Sequence, residues 1–585
     1  MRSRRLTVAC ALLLATLVCG CSTLPDSGAV HTRRASSKDT SPVDFSPSGP
    51  TKDDSQAGIV RGFLLAMQAS PPSTAVARSF LSTRAKDTWT PTQGTIVYDS
   101  ATLTGDADVV TADLHDAFRL SPAGAWLDGT DSTTTTLSLT LVQEHGQWRI
   151  DNPPNALAVP TLYFSSLFVG FDLYFFDRTG TVLVPTKVYL PQGEQTATNL
   201  VRGLLAGPPR APRDVAISAF PPKVALDGLS VAVSDRGIVD VPLGPSVLSL
   251  SPAELNRMVV QLAWTLRQVP GITRVRLSVD GSPVPLSGGR TDVSVNIGPE
   301  YDPLASPQRQ VLAISGGRVV RDDGNSEAAP VAGPFGQTGF ALRSLAWSTR
   351  EHSIAAVSAS GRRVFVAPDE GGRSPTRVRP VLDGGHDVLR PAYDRYGGLW
   401  LVDETPVGAV VHLVTGKRDR VVRVPGISGR PVSAFTVTRD GSSLVAVLAD
   451  GANPTVEVSG LVRASSGRLE SATRARTLQV SGADLGPARD VSQIDATTVA
   501  VLTRPAGSGD EVVYVELDGS PTPTSPPGDG APTTLPGEIV GLVGRPDPAL
   551  PLRVVTADRR LFSFGEGGRW LRDPLTNVIA ASYAE

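Results

Sequence analysis

The spacing of apolar positions changes several times along the chain, and each change marks a different kind of element. Leu6–Val18 is a largely apolar run of thirteen residues behind Arg2, Arg4 and Arg5. That is short of the roughly 20 residues a spanning helix needs, and it fits the h-region of a secretory signal. Residues 22–56 are rich in Ser, Thr, Pro, Asp and Gly, with almost no aliphatic clusters. Such a stretch cannot bury enough surface to fold and is expected to be a flexible stalk. From Ala57 the period becomes helical, with Ile59, Val60, Phe63, Leu64 and Met67 on one face. Ser73 stands where it could cap a second helix through Ala75, Val76, Ala77, Phe80 and Leu81. Beyond Trp89 the pattern alternates. Residues 95–98, 135–142 and 147–150 read as strands, and Asp151-Asn152-Pro153-Pro154 ends them.

A second α+β pattern occupies roughly 163–284. Phe171, Leu173 and Phe175 alternate with Asp172, Tyr174 and Phe176, so one strand carries aromatic rings on both faces. Residues 181–190 give the next strand, and Ala197, Leu200, Val201, Leu204 and Leu205 a helix that Gly207-Pro208-Pro209 stops. Residues 231–241 read as a hairpin turning at Asp235-Arg236-Gly237. Ser251-Pro252-Ala253-Glu254 predicts a helix start with a capping box, followed by the stripe Leu255, Val259, Leu262, Ala263 and Leu266. Val275, Leu277 and Val279 form a strand that turns at Asp280-Gly281.

From Leu304 the pattern is all-β and repeats weakly. Trp347, Tyr393 and Phe435 open similar units, each followed by a polar turn and an apolar strand; looser copies stand at Ile494 and Val543. A spacing of about 40–50 residues matches a four-stranded propeller blade, so about six blades are expected. The Gly/Pro-rich insert 520–537 reads as a surface loop. The expected organisation is therefore a signal peptide (1–20), a disordered stalk (21–56), an N-terminal α+β domain (57–155), a second α+β domain (160–300) and a β-propeller (304–585).

Composition sharpens this at the N-terminus. The chain has three cysteines, Cys10, Cys19 and Cys21. A folded region of this length without disulfides must rest on its hydrophobic cores. Val18-Cys19-Gly20-Cys21 resembles a bacterial lipobox. A small residue before the cysteine suits lipoprotein signal peptidase, so cleavage is expected between Gly20 and Cys21. Cys21 is then the lipidated residue, carrying S-diacylglycerol and an N-palmitoyl group; Cys19, behind bulky Val18, fits less well. A formal net charge of −2 gives no reason to expect a nucleic-acid partner. His352, His386 and His412 lack metal-ligand spacing. Asp87, His115 and Glu144 read as solvated charges. No catalytic residue, metal or cofactor is therefore assigned, and the chain is not expected to be an enzyme.

The helices followed by a sheet in the first domain resemble a nuclear-transport-factor-2-like cone. The segments Leu173-Tyr174-Phe175, 201–208, Leu262-Ala263-Trp264-Thr265-Leu266 and 275–281 resemble a GerMN domain, which implies a fold and an envelope setting. In that comparison Trp264 is a core residue. The order of lipobox, stalk, α+β domain, GerMN domain and propeller resembles the actinobacterial LpqB lipoprotein family over essentially the whole chain. The resemblance implies a lipid-anchored protein on the extracytoplasmic face of the cell membrane. It also implies a partner, the extracytoplasmic sensor region of an MtrB-type histidine kinase, and a role in tuning MtrA–MtrB signalling, cell-wall homeostasis and division. Two other readings remain open. Exposed aromatics lining a groove of the GerMN-like domain would favour a module that binds peptidoglycan or another glycan. Inward carboxylates or histidines at one end of the channel would favour a propeller enzyme, for which Asp383, His386, Asp387, Asp394 and Asp403 lie in a suitable stretch.

Overall fold

The computed structural model describes residues 45–584 apart from 71, 106–107, 128–133, 210–213, 305–309, 324–327, 338, 371–377, 379, 450–453, 479–487, 505–508, 521–534, 546, 548–549 and 566–567. Gly20, Cys21, the expected signal peptide, residues 21–44 of the expected stalk and most of the 520–537 insert lie outside the described residues. Among the described residues no helix is long and apolar enough to cross a membrane.

The first domain begins earlier than its helical period suggests. Phe45 and Ser70 exchange backbone hydrogen bonds at 3.0 Å, and the Asp53 amide donates to Gln147 Oε1 at 2.8 Å. Residues 45–55 are thus held against the domain, and Ser55 caps the helix Gln56–Ala66 by accepting from the Gly58 amide. Ile59, Val60, Phe63 and Leu64 are buried on one face of that helix. The second expected helix forms over Ala75–Ser79, and a further short helix, Thr83–Thr88, follows it. The break between them lies where Leu81 bridges Ile150 and the Ser82 amide donates to the Ile150 carbonyl. Ser82 then starts the further helix by accepting from the Ala85 amide, and its hydroxyl donates to Asp151. Thr74 is the N-cap of Ala75–Ser79, while Ser73 Oγ accepts from the Ala75 amide at 3.3 Å. Two four-stranded sheets complete the domain, joined at Asp99 between strands Thr95–Tyr98 and Ser100–Thr104.

In the second domain the expected helices form at Thr196–Ala206 and Pro252–Leu266. The Ser251–Glu254 capping box is present, with each partner bonding the other's backbone amide. The helix is buried on all sides from Met258 to Leu266, because it lies between two sheets. Strand Phe168–Asp177 uses both faces. Phe171, Leu173 and Phe175 join the main core, whereas Tyr174 and Phe176 pack with Leu183, Val260 and Trp264. Trp264 is buried and donates from Nε1 to the Ile297 carbonyl at 2.9 Å.

The third region is a closed propeller with six sheets among the described residues. The inner strands are Val578–Tyr583, Leu342–Ser348, Ala392–Tyr393, Val432–Val437, Ala488–Gln493 and Ile539–Val543, taken here as blades 1 to 6. Trp347, Tyr393, Phe435 and Val543 all lie on inner strands, and Ile494 directly follows one. The ring closes because the last strand, Val578–Tyr583, pairs antiparallel with the first, Val311–Ser315. Blade 1 is therefore built from both ends of the propeller sequence. Its sheet edge is covered without a disulfide.

Candidate functional site

Two places gather polar chemistry: the propeller channel and the junction between the second domain and the propeller. The candidate carboxylates and histidines of blades 2 and 3 line neither. Asp394 is buried and accepts from the Tyr396 and Gly398 amides, Trp400 Nε1 and Arg463, so it pins the turn after its inner strand. Asp403 accepts from the His386 and Asp387 amides at 2.9 Å. Asp383 pairs with Arg363 and Asp387 with Arg343. His412 faces Asp419 at 3.0 Å, and His352 occupies a turn at φ 47°. Among the described residues no group of three His, Cys, Asp or Glu is placed to hold a metal ion. In the first domain Glu144 caps a helix by accepting from Thr83, and His115 Nε2 lies 3.0 Å from Thr102 Oγ1.

The channel is crossed by arginines that the repeat pattern does not announce. Arg390 precedes the inner strand of blade 3 and reaches over to blades 5 and 6. It pairs with Asp490 at 2.9 Å and donates to the carbonyls of Val491 and Leu542. Burial pushes the Asp490 carboxyl up, while Arg390 and the Leu542 and Val491 amides hold it down. Arg439, in the turn of blade 4, donates to the Ala584 carbonyl of blade 1 at 2.5 Å. Above Arg390 lies a cavity of about 170 Å³, and below it a smaller one of about 50 Å³. The sequence held one usable signal: an arginine stands three to five residues before Trp347, Tyr393 and Ile494, at Arg343, Arg390 and Arg489.

The junction lies on the opposite face of the propeller, where inner strands end. Lys187 of strand Leu183–Pro191 pairs with Glu516 at 3.3 Å. Tyr189 OH meets Ser520 Oγ, and Tyr396 OH donates to Asp177 Oδ2 at 2.8 Å. Arg395 donates to the Asp302 carbonyl at 3.3 Å. Ser520, expected at the start of a surface loop, is fully buried here. Asp172, Asp495 and Asp518 surround the Lys187–Glu516 pair. Burial and the Asp495 and Asp518 carboxylates push Glu516 up to about 7, although Lys187 pulls it down. Burial lowers Lys187, but Glu516 and Asp172 outweigh it and hold the ammonium above its ordinary range. Burial and the Asp177 carboxylate likewise raise Tyr396.

Three family models match the chain in this order. "Lipoprotein LpqB, N-terminal domain" covers residues 49–165, "Sporulation and spore germination" 172–285, and "Lipoprotein LpqB beta-propeller domain" 317–540. Lipoprotein LpqB of Cutibacterium acnes is 28% identical over 548 residues, covering 88% of this chain and 89% of the relative. That of Streptomyces coelicolor is 27% identical, covering 93% of this chain and 92% of the relative. The chain belongs to the LpqB lipoprotein family. Among solved structures, TolB from Acinetobacter baumannii is 12% identical with a TM-score of 0.32, covering 58% of this chain and 86% of that one. The first GerMN domain of the sporulation protein GerM from Bacillus subtilis is 21% identical with a TM-score of 0.18, covering 23% of this chain and 98% of that one. The LpqB N-terminal match extends through Phe164, so it includes part of the aromatic contact with the GerMN domain.

Proposed function

We propose that this LpqB-family protein is a non-catalytic contact component of the envelope. In this reading the chain is cleaved between Gly20 and Cys21. Lipid on Cys21 then holds it at the extracytoplasmic face of the cell membrane. It binds the extracytoplasmic sensor region of an MtrB-type histidine kinase and so modulates MtrA–MtrB signalling, cell-wall homeostasis and division. The observation that carries the reading is the match to LpqB lipoproteins over nearly the full length, in the same module order. Two packed junctions support it, since they let surfaces from several modules face one partner together. A lipid tether confines both proteins to one surface and raises the effective concentration of a weak partner. Unequal affinity for the kinase's signalling conformations would then shift their populations.

The test is direct. Crosslinking in intact cells should capture the kinase, and deletion of the lipoprotein should change regulator phosphorylation. Cys21→Ala should leave the protein out of the membrane pellet and remove the regulatory effect. Unchanged phosphorylation on deletion, with no kinase in the crosslinked complex, would sink the proposal. Among the described residues the glycan-binding alternative finds no exposed aromatic groove on the GerMN domain to favour it. Among them the large apolar side chains exposed on that domain, Leu162, Val169, Ile217, Leu229, Val233 and Leu248, are aliphatic.

A further inference from the structure

The unused feature of the molecule is the mouth of the propeller channel on the face away from the GerMN domain. Inner strands start there, whereas Tyr396, Glu516 and Ser520 meet the GerMN domain where strands end. The cavity of about 170 Å³ is a cup and not a passage. Arg390 forms part of its floor, fixed to Asp490 and to the carbonyls of Val491 and Leu542. Phe435 and Leu542 give it an apolar wall. The charged residues lining it are Arg343, Arg390, Arg489 and Asp490, and each arginine is paired: Arg343 with Asp387, Arg390 with Asp490, and Arg489 with Asp510 and Glu538. Asp490 is already occupied, because it accepts from Arg390 and from the Leu542 and Val491 amides.

Two polar atoms of the lining side chains are shut from water with no partner: Ser344 Oγ and Arg489 Nε. Each can donate, and a buried donor without an acceptor is unfavourable. Arg343 is held beside them by Asp387 at 2.5 Å and by the Val388 carbonyl at 2.6 Å. Two donors that lack an acceptor, beside an apolar wall, select a small hydrogen-bond acceptor with an apolar end. A cavity of about 150 Å³ accepts a molecule the size of benzene, so roughly six non-hydrogen atoms fit. We propose that this cup binds a carboxylate, taken from a small free acid or from the C-terminal residue of a peptide. Ser344 presents its hydroxyl by rotating χ1, Arg489 donates through Nε, and the apolar end lies against Phe435 and Leu542.

Saturation-transfer NMR on the detergent-solubilised full chain would test this with acetate and with neutral, isosteric acetamide. Acetate is expected to bind saturably and acetamide not. Ser344→Ala should weaken acetate about tenfold, the loss expected for one hydrogen bond to a charged group, while leaving the melting temperature unchanged or higher. Arg489→Lys keeps a cation beside Asp510 but removes Nε, and should weaken acetate similarly. Alanyl-alanine and its C-terminal amide then separate the two sources. Competition by the free dipeptide but not the amide identifies a peptide terminus, and failure of both to compete identifies a small free acid. The proposal is overturned if acetate and acetamide behave alike, or if both variants titrate as the parent does.

Discussion

Between the first domain and the GerMN domain the contact is made of rings. Phe118 stacks on Trp126 and meets Phe164 edge-on, and Phe164 in turn touches Phe168 and Tyr189, with centroid separations of 4.1–5.7 Å. Between the GerMN domain and the propeller the contact is made of charges and hydroxyls: Lys187 with Glu516, Tyr189 with Ser520, Tyr396 with Asp177. An aromatic contact draws its free energy from buried apolar area and ring geometry, which neither salt nor pH alters much. A buried ion pair must offset the desolvation of both partners, so its worth depends on the protonation and presence of each. The first junction is therefore expected to hold under all envelope conditions, and the second to respond to them. Tyr189 belongs to both, its ring to one and its hydroxyl to the other.

The largest effect should come from breaking the ring contact. Phe164 is buried, and Phe164→Ala removes the ring on which three others converge. We expect a loss of about 3–4 kcal/mol in the first urea transition, the range for truncating a buried phenylalanine, unchanged between low and high salt. Next comes Lys187→Met, which leaves Glu516 buried near Asp495 and Asp518 without its cation. Breaking a buried pair costs about 3–5 kcal/mol; Lys187 is partly wet, so about 2–3 kcal/mol is expected. The double variant Lys187→Met with Glu516→Leu should recover most of it. A double variant as weak as Lys187→Met alone would show that the lysine acts through packing and not through charge.

The two junctions were unequally legible. Local devices could be read directly: Ser251 and Glu254 are three residues apart, and their capping box needs nothing from the rest of the chain. The landmarks Trp347, Tyr393 and Phe435 also led to inner strands, because each blade repeats the same apolar period. Closure of the ring was hidden, since Val311–Ser315 and Val578–Tyr583 meet from opposite ends of the propeller. The charged junction was hidden for a related reason. Lys187 alternates along its strand like any solvated lysine, and nothing nearby in sequence names Glu516 as its partner. Ser520 stands at the edge of a Gly/Pro-rich insert, where composition argues for exposure, yet Tyr189 covers it. Arg390 similarly finds its partners across the channel, in blades 5 and 6.

Acidity should separate the junctions further. Glu516 is held at about 7, above its ordinary 4.5, so the folded protein binds its proton more tightly than the unfolded chain does. Stability from this group therefore rises as pH falls from about 7 toward 4.5 and is lost as pH climbs through 7. Burial also raises Asp172 and Asp518, with the same sign. Lys187, raised above its ordinary value, stays charged throughout that window. Asp151 has the opposite sign. The Arg84 and Ser82 hydrogen bonds lower it, so its contribution fades only below the ordinary carboxylate range. Between pH 8 and pH 5.5 the urea midpoint should rise, and Glu516→Gln should flatten that rise. A midpoint that falls over this interval in the parent would contradict the assignment.

The smallest effect tests the shared residue. Tyr189→Phe keeps the ring against Phe164 and removes only the hydroxyl that meets Ser520. Ser520 keeps a partner, because its own hydroxyl also lies 2.6 Å from Asp518. No buried donor is therefore stranded, and the loss should be about 1 kcal/mol, the net value of one neutral hydrogen bond. That loss belongs to the charged junction alone. In the Lys187→Met background it should shrink, because the two changes share one network. In the Phe164→Ala background it should stay the same, since the ring contact is already gone and the hydroxyl faces the other way. Additivity with Lys187→Met and coupling to Phe164→Ala would reverse the picture, making Tyr189 part of the aromatic contact through its hydroxyl as well as its ring.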